Sequence, residues 1–373
     1  MRIAIDAREL QGQPTGVGRV LAGILEAWET LPEARAHEFV RCSPDGPRSA
    51  TQSGVTQTVS QRGGTLWEQF TLPRLVRAAG ADVLFAPAYS GPVISAVPLV
   101  VAVYDVSFAA HPEWFGMREG LRRRLLTGMS ARRATTVITS SEFSRREITR
   151  HLRVDPARIE VIYPGVSPVA PAHAPVARDN LVLFVGSLFT RRHVPALIEG
   201  FSRLARRRPK MGPDMGPDME PGMEPGVRLE IVGDNRTNPR VDFERLAATS
   251  GSGGRIALRS YVPDAELSAL YARARAFVFL SDYEGFGFTP LEALAAGVPI
   301  AVLDTPIARE VYGDAALYLR APDPALVEAE LDRLLHDDAE RTRILAAAAA
   351  LLPRYSWKAC AASVLSTLVR AAR

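Results

Sequence analysis

A chain of 373 residues is too long for one ordinary domain and, at roughly 100–200 residues per domain, divides into two. With 47% apolar and 23% charged residues it matches packed globular proteins, which excludes the disordered and fibrous classes. The net charge of +4 reflects arginines clustered at Arg122-Arg123-Arg124, Arg132-Arg133, Arg145-Arg146, Arg191-Arg192 and Arg206-Arg207-Arg208, a pattern suited to phosphate-bearing partners. No zinc-finger spacing, RNP-type aromatic motif or helix-turn-helix signal accompanies it, so no nucleic-acid partner is expected.

The first element is a short apolar run, Arg2 to Asp6, which reads as a strand rather than as a signal peptide. After it come Gly12 and then Gly16 and Gly18 in Pro14-Thr15-Gly16-Val17-Gly18-Arg19, expected to be a tight loop opening a helix. Further runs follow at Val83 to Ala86, Leu99 to Val103, Thr136 to Thr139 and Glu160 to Ile162, separated by segments of helical periodicity. This alternation is the signature of βαβ units and a parallel sheet. The third run leads into Tyr104-Asp105-Val106-Ser107-Phe108, where Asp105 is either a ligand-orienting carboxylate or a loop cap. His111, soon after, reads as structural. Arginines from Arg118 to Arg133, interleaved with Leu121, Leu125, Leu126 and Met129, suit an anionic membrane surface as well as a solvated helix face. Ser140-Ser141-Glu142-Phe143-Ser144 reads as a helix start with two capping serines.

From Gly165 to Asn180, Pro168, Pro171 and Pro175 interrupt any periodicity, and this stretch is taken as the linker. The pattern then restarts at Leu181 to Val185, Arg228 to Val232, Arg255 to Leu258, Ala276 to Leu280 and Ile300 to Leu303. The proline- and glycine-rich repeat at 209–226 reads as a surface insertion. The expected domains are therefore 1–170 and 171–354, with a C-terminal helix in 355–373 packing back on the first. Ligands of two such domains belong at the carboxyl ends of their strands, facing each other across a cleft.

Two of those strand ends carry chemistry. Arg191-Arg192 follow Gly186-Ser187 in the loop after Leu181 to Val185, placing guanidinium groups where a diphosphate would lie. After Ala276 to Leu280 comes Ser281-Asp282-Tyr283-Glu284-Gly285-Phe286-Gly287-Phe288-Thr289-Pro290-Leu291-Glu292. Gly285 and Gly287 allow close backbone approach, and amides around Phe288 and Thr289 at a new helix start form an anion site. Thr289-Pro290-Leu291-Glu292 is also a capping box, with Thr289 at the N-cap, so Glu292 is a cap, a ligand or both.

Two glutamates seven residues apart, in the form Glu-Gly-Phe-Gly-Phe-Thr-Pro-Leu-Glu-Ala-Leu-Ala-Ala-Gly-Val-Pro, resemble the E-x7-E motif of the family 4 (group 1) retaining glycosyltransferases of the GT-B fold. The resemblance spans nearly the whole chain apart from the repeat. It takes in the Gly-x-Gly-Arg segment at Gly16 and Gly18, Asp105, the Ser-Glu-Phe-Ser segment, residues 159–165, Arg191-Arg192 and Tyr261-Val262-Pro263-Asp264. It implies two Rossmann-like, doubly wound parallel-sheet domains and transfer from a nucleotide-diphosphate sugar. By the same resemblance, Glu284 contacts the transferred sugar and the amides of Gly285, Phe286, Gly287, Phe288 and Thr289 its hydroxyls and phosphate. Glu292 takes the ribose, Arg191 and Arg192 the diphosphate, and Tyr261 and Val262 the nucleobase, while the Gly16 loop reaches the donor across the cleft. Two positions depart from the family: Arg192 stands where Lys is usual, and Tyr104 where His is usual.

A diphosphate leaving group needs fixed positive partners, which Arg191, Arg192 and the helix start supply, and no DxD-type pair is placed to hold Mg2+. Metal-independent transfer, with no cofactor, is the expectation. The Asp105 to Phe115 segment looks most like that of bacterial mannosyl- and rhamnosyltransferases. A hexose from a GDP-, UDP- or dTDP-linked donor to a saccharide or lipid-linked saccharide is therefore expected. Alternatives are a nucleotide-sugar epimerase, a phosphorylase, or a binding protein without turnover. No apolar run reaches the roughly 18–20 residues that span a bilayer, so the expected location is the cytoplasm, with peripheral contact at the inner face of the membrane. Cys42 and Cys360 match no metal or redox spacing.

Overall fold

The computed structural model describes residues 1–11, 16–44, 46–49 (as backbone), 64–167, 178–207 and 226–373. Gly12, Pro14 and Thr15, most of the expected linker, and the repeat at 209–226 apart from Gly226 lie outside the described residues. The chain divides into two compact units, one of Met1–Gly165 with Tyr355–Arg373 and one of Val166–Arg354.

The first unit comprises, in chain order, β1 (Arg2–Asp6), α1 (Gly16–Thr30), β2 (Glu38–Ser43), β3 (Gly46–Ser49), α2 (Leu72–Ala78), β4 (Val83–Ala86), β5 (Leu99–Ala102), α3 (Ser107–Ala110), α4 (Met117–Arg133), β6 (Thr136–Thr139), α5 (Glu142–Leu152) and β7 (Ile159–Val161). Its sheet runs β3-β2-β1-β4-β5-β6-β7, parallel except for β3. The second unit contains β8 (Leu181–Val185), α6 (Val194–Arg207), β9 (Arg228–Val232), α7 (Phe243–Thr249), β10 (Ile256–Arg259), α8 (Asp264–Arg273), β11 (Ala276–Phe279), α9 (Phe288–Ala295), β12 (Ile300–Leu303), α10 (Pro306–Tyr312), β13 (Leu317–Leu319), α11 (Pro324–His336) and α12 (Asp338–Leu351). Its sheet is β10-β9-β8-β11-β12-β13, parallel throughout. The last helix, α13 (Trp357–Ala371), belongs to the first unit.

Both sheets are doubly wound, as the alternating pattern requires. Their central strands, β4, β5, β8, β11 and β12, are buried at every position, which is why they read as unbroken apolar runs. Each fully buried Val, Leu, Ile or Phe there contributes about 1.5–3 kcal/mol. The missed strands lie toward sheet edges. In β2, Arg41 interrupts the apolar pattern, and β13 is only three residues long. One expectation is corrected: Gly16 and Gly18 are not in a loop but in the first turn of α1, with Gly18 buried.

Trp28 Nε1 of α1 donates to the Ala361 carbonyl of α13 at 2.9 Å, and Thr367 and Arg370 of α13 both donate to the Glu160 carboxylate at 2.6 Å. The Trp357 indole lies where a side chain on Gly165 would be, 2.4 Å from an added Cβ. Cys42 and Cys360 are both buried free thiols, and burial pushes each up to about 12.

Two expected outcomes follow from this packing. In α6, a Cβ on Gly200 would lie 2.6 Å from Val327 and 2.8 Å from the Pro324 carbonyl of α11. Gly200→Ala gains about 1 kcal/mol of helix propensity but loses about 1–3 kcal/mol to overpacking against a backbone atom that cannot swing away, and so lowers the urea midpoint. Neither thiol reacts with Ellman's reagent at pH 8 until denaturant is added, and both then react fully.

Candidate active site

In the second unit the strand order reverses between β8 and β11, the switch point where doubly wound sheets receive ligands. Chain leaves β8 through Gly186, whose φ of 141° belongs to glycine's range and whose missing side chain makes room for Arg192: an added Cβ would lie 2.7 Å from its Nη1. A 3-10 turn, Thr190–Arg192, then presents the two arginines, and His193 closes it at φ 46° before α6 begins.

The arginines have different partners. Arg192 crosses from the β8 loop to the β11 loop, where its Nε donates to Glu284 Oε1 at 2.8 Å and its Nη2 lies 2.8 Å from the same oxygen, while Nη1 donates to the Ser187 carbonyl at 2.8 Å. Phe279 lies under the guanidinium, 4.7 Å from ring centre to Cζ. Burial draws the Arg192 guanidinium below its usual pKa, with Glu284 pulling the other way. Arg191 is buried, donates from Nε to the Tyr283 carbonyl at 3.0 Å and stacks over Phe189 at 4.4 Å. Its own carbonyl accepts from the Asp282 amide at 3.0 Å, and His193 Nε2 meets Asp282 Oδ2 at 2.5 Å. The two loops are thus joined at three levels. Sequence reading put both arginines toward phosphate; it gave no sign of the pairing of Arg192 with Glu284. It also missed His193 and Asp282, for which the adjacent spacing offered no signal.

Glu284 accepts a second hydrogen bond, from Ser281 Oγ at 2.9 Å. Beyond it, Gly285 and Phe286 are buried, and Gly287 turns the chain into α9 at φ 93°. Tyr312 of α10 donates to the Gly287 carbonyl at 3.0 Å, and a Cβ on Gly287 would strike that hydroxyl. The capping box is not formed. Gly287, not Thr289, is the N-cap, no side chain caps the turn, and Phe288 and Thr289 are the first two helical residues. The box fails because the tight turn needs the positive φ of Gly287 one residue before Phe288. Glu292 instead accepts from the Tyr271 hydroxyl at 3.0 Å. The amides of the first turn, which have no acceptor within the helix, therefore open at the β11 end. Past β10, Tyr261 is 57% exposed while Val262 is buried beneath it.

In the first unit, Asp105 follows β5 and fulfils its loop-capping reading: Oδ1 accepts from the Ser107 amide at 2.9 Å and hydroxyl at 2.6 Å, and Oδ2 from Tyr89 Oη at 2.7 Å. Tyr104 is half-buried against Val20, Ile24, Phe85, Cys360 and Val364, and burial pushes its phenol well above the ordinary value. Its carbonyl accepts from Ser144 Oγ at 2.7 Å, while Ser141 caps α5 by accepting from the Ser144 amide at 3.0 Å. Sequence reading missed a buried network at the ends of β1 and β4. Arg8 lies 2.7 Å from Asp6 and 2.8 Å from Glu68, which also accepts from Ser90 Oγ at 2.9 Å. Burial raises the Asp6 carboxyl against the pull of Arg8. Asp6 and Arg8, charged and at or just past the end of β1, were legible; Glu68, inside a helical segment, was not. Among the described residues, no three His, Cys, Asp or Glu side chains gather as a metal site would.

Two family profiles match adjoining stretches of the chain, "Glycosyltransferase Family 4" over residues 14–169 and "Glycosyl transferases group 1" over residues 170–350. "O-antigen chain mannosyltransferase B" of Escherichia coli is 28% identical over 279 residues, covering 72% of this chain and 69% of that protein. Two further curated relatives are matched over 57% and 58% of their own length, less than two thirds. Among solved structures, a sucrose-phosphate synthase of Thermosynechococcus elongatus superposes over 100% of both chains with a TM-score of 0.72 at 15% identity. Anabaena HepE in complex with UDP-glucose superposes over 99% of this chain and 100% of that one, with a TM-score of 0.70 at 17% identity. At such identities the likeness is one of fold, the two-unit GT-B architecture.

Removing Arg192 leaves Glu284 half-buried with one hydroxyl donor, so Arg192→Ala is expected to destabilise the second unit by about 3 kcal/mol. All four tryptophans, Trp28, Trp67, Trp114 and Trp357, lie in the first unit. The urea transition followed by circular dichroism should therefore shift more than the one followed by tryptophan emission; a common shift in both, or none, contradicts this account.

Proposed function

We propose a donor, a mechanism and an acceptor class for this chain, which belongs to the family 4, group 1 glycosyltransferases. The reaction is transfer of a hexose, of mannose, rhamnose or glucose type, from a nucleotide-diphosphate sugar to a saccharide or lipid-linked saccharide acceptor. One observation carries the reading: the ion pair of Arg192 with Glu284 holds a carboxylate at the strand ends flanking the switch point, beside the α9 amides and Arg191.

Glu284, kept in place by Arg192 and Ser281, accepts hydrogen bonds from hydroxyls of the transferred sugar. The first-turn amides of α9 and Arg191 hold the diphosphate, whose negative charge grows as the bond from the anomeric carbon to its phosphate oxygen breaks. The acceptor oxygen attacks the same face of that carbon as the departing oxygen leaves, and the acceptor proton passes to the departing phosphate. Configuration is thereby retained, and the positive partners supplied by the chain let the step proceed without a metal ion. Glu292 and Tyr271 face the ribose, and Tyr261 with Val262 the base. Asp105, fixed by Tyr89 and Ser107, takes the acceptor side. The mannosyltransferase relative favours a mannose-type donor, and a GDP-linked sugar is the first to try.

A second reading, nucleotide-sugar binding without turnover, has one observation in its favour, the tyrosine at 104 packed among apolar side chains. Incubation with GDP-, UDP- and dTDP-linked hexoses separates the readings: transfer requires one of them both to raise the melting temperature and to release nucleotide faster when acceptor is added. Stabilisation by a donor with no release under any acceptor favours the second. With the productive donor, Glu284→Gln abolishes transfer while calorimetry still finds the nucleoside diphosphate bound. Arg191→Ala lowers kcat by roughly 10²–10³-fold, the scale of one lost oxyanion donor. Wild-type turnover in either variant refutes the role given to that residue.

A further inference from the structure

In the first unit, the Arg8 guanidinium is held on two of its edges and open on the third. Nε donates to the two Asp6 oxygens at 3.0 and 2.9 Å, and Nη2 lies 2.7 Å from Asp6 Oδ2 and 2.8 Å from Glu68 Oε2. Both carboxylates are buried, and the Trp67 ring lies beneath Cζ at 5.3 Å. Nη1 meets no acceptor among the described residues, and 14% of the side chain stays exposed. A fixed cation therefore presents one N–H edge just past the end of β1, beside the switch point between β1 and β4.

The group is tied to Asp105. Gln69 Nε2 donates to Glu68 Oε1 and Ser90 Oγ to Glu68 Oε2, both at 2.9 Å. Next to Ser90, the Tyr89 hydroxyl donates to Asp105 Oδ2 at 2.7 Å, and the Tyr89 amide donates to the Ala102 carbonyl at the end of β5 at 2.9 Å. Tyr89 has a φ of 65°, which a bulky side chain rarely adopts. Such strain persists only where the surroundings impose it, and it gathers at functional sites. One strained dipeptide thus links Arg8 with Asp105, whose strands, β1 and β5, are two steps apart in the sheet, or about 10 Å. That span exceeds one pyranose ring and is close to the length of two.

We propose that Arg8 contacts the second sugar of the acceptor. With the sugar that receives the hexose at Asp105, Nη1 donates to a hydroxyl or ring oxygen of the sugar linked to it. The inference rests on the acceptor side given to Asp105 above and adds a length to it, at least a disaccharide. A guanidinium donor makes a charge-assisted hydrogen bond, strong enough to discriminate between lengths. A neutral oxygen is its partner, because an acceptor carboxylate or phosphate would face Asp6 and Glu68 just behind the guanidinium.

The test sets methyl glycosides of mannose, glucose and rhamnose against their α-linked homodisaccharides, using full-length protein and the productive donor. At least one disaccharide is expected to exceed its own monosaccharide in kcat/KM by roughly 10–100-fold, chiefly through KM, the scale of one hydrogen bond to a charged group. Arg8→Lys keeps a cation between the two carboxylates but not the rigid outward edge, and the preference for length falls toward parity. Ser90→Ala keeps the ion pair, removes the tie to Tyr89 and lowers the preference part-way, so it reads the same contact where Arg8→Lys does not fold. A change that only weakens the fold lowers both lengths in proportion and leaves their ratio unmoved. Equal efficiency within every pair, transfer to monosaccharides but to no disaccharide, or a preference undiminished in both variants overturns the second contact and leaves the transferase reading standing. Donor stabilisation with no acceptor-dependent nucleotide release at either length overturns the transferase reading, and the second contact with it.

Discussion

The second unit depends on one half-buried ion pair. Parallel strands hydrogen-bond along their length but not beyond their carboxyl ends, so the loops that follow β8 and β11 need another means of being held side by side. Arg192 provides it, with two nitrogens on Glu284 and a third on the Ser187 carbonyl. Removing both charges from water costs several kcal/mol each, and the forked geometry, the Ser281 hydroxyl and the Phe279 ring are what make the arrangement tolerable. Lysine, a point charge on a flexible stem, could not make the same three contacts at once, which gives the arginine at this position a physical reason. The absence of a side chain at Gly186 is part of the same device, since the guanidinium occupies the space a Cβ would need.

A carboxylate fixed in this way limits what the neighbouring backbone can do. Glu284 is four residues before Phe288, and the chain must reverse within that span to begin α9. Gly287 makes the turn, and Tyr312 anchors its carbonyl from α10. Because the turn occupies the N-cap, no serine, threonine or aspartate side chain satisfies the first amides of the helix, unlike α5, α7, α10, α11 and α13, where side-chain caps do. An uncapped helix start costs about 1 kcal/mol, and it is an affordable loss where an anion can replace the cap.

Legibility in the sequence followed the same physics. Central strands were found because burial on both faces leaves an unbroken apolar run; β2, β3 and β13 were not, because they lie at or near sheet edges and carry short or interrupted runs. The residues proposed for the donor side stood out in the sequence because each follows a strand. Their partners were not, since Arg192 and Glu284 are separated by 92 positions and nothing local records that they meet. The capping box was misread for the opposite reason. Thr289 to Glu292 matches the local rule, but the rule yields to a glycine whose conformation is set by Tyr312, twenty-five positions away. Gly16 and Gly18 erred in the same direction, a helical turn taken for a loop because two glycines weaken a helix signal without preventing the helix.

The first unit repeats the design with the signs rearranged. At its own switch point, between β1 and β4, Arg8 is held by two carboxylates, so the buried group of Asp6, Arg8 and Glu68 tends toward negative charge where the second unit presents balanced charge and open amides. Burial raises the Asp6 carboxyl, and the Arg8 guanidinium pulls the other way. Asp105, one strand farther along, is likewise held in place, its oxygens met by three donors from Tyr89 and Ser107. Tyr104 then matters less for its phenol, which burial keeps protonated, than for its carbonyl, which ties the β5 end to Ser144 of α5 and so sets the direction from which Asp105 is presented.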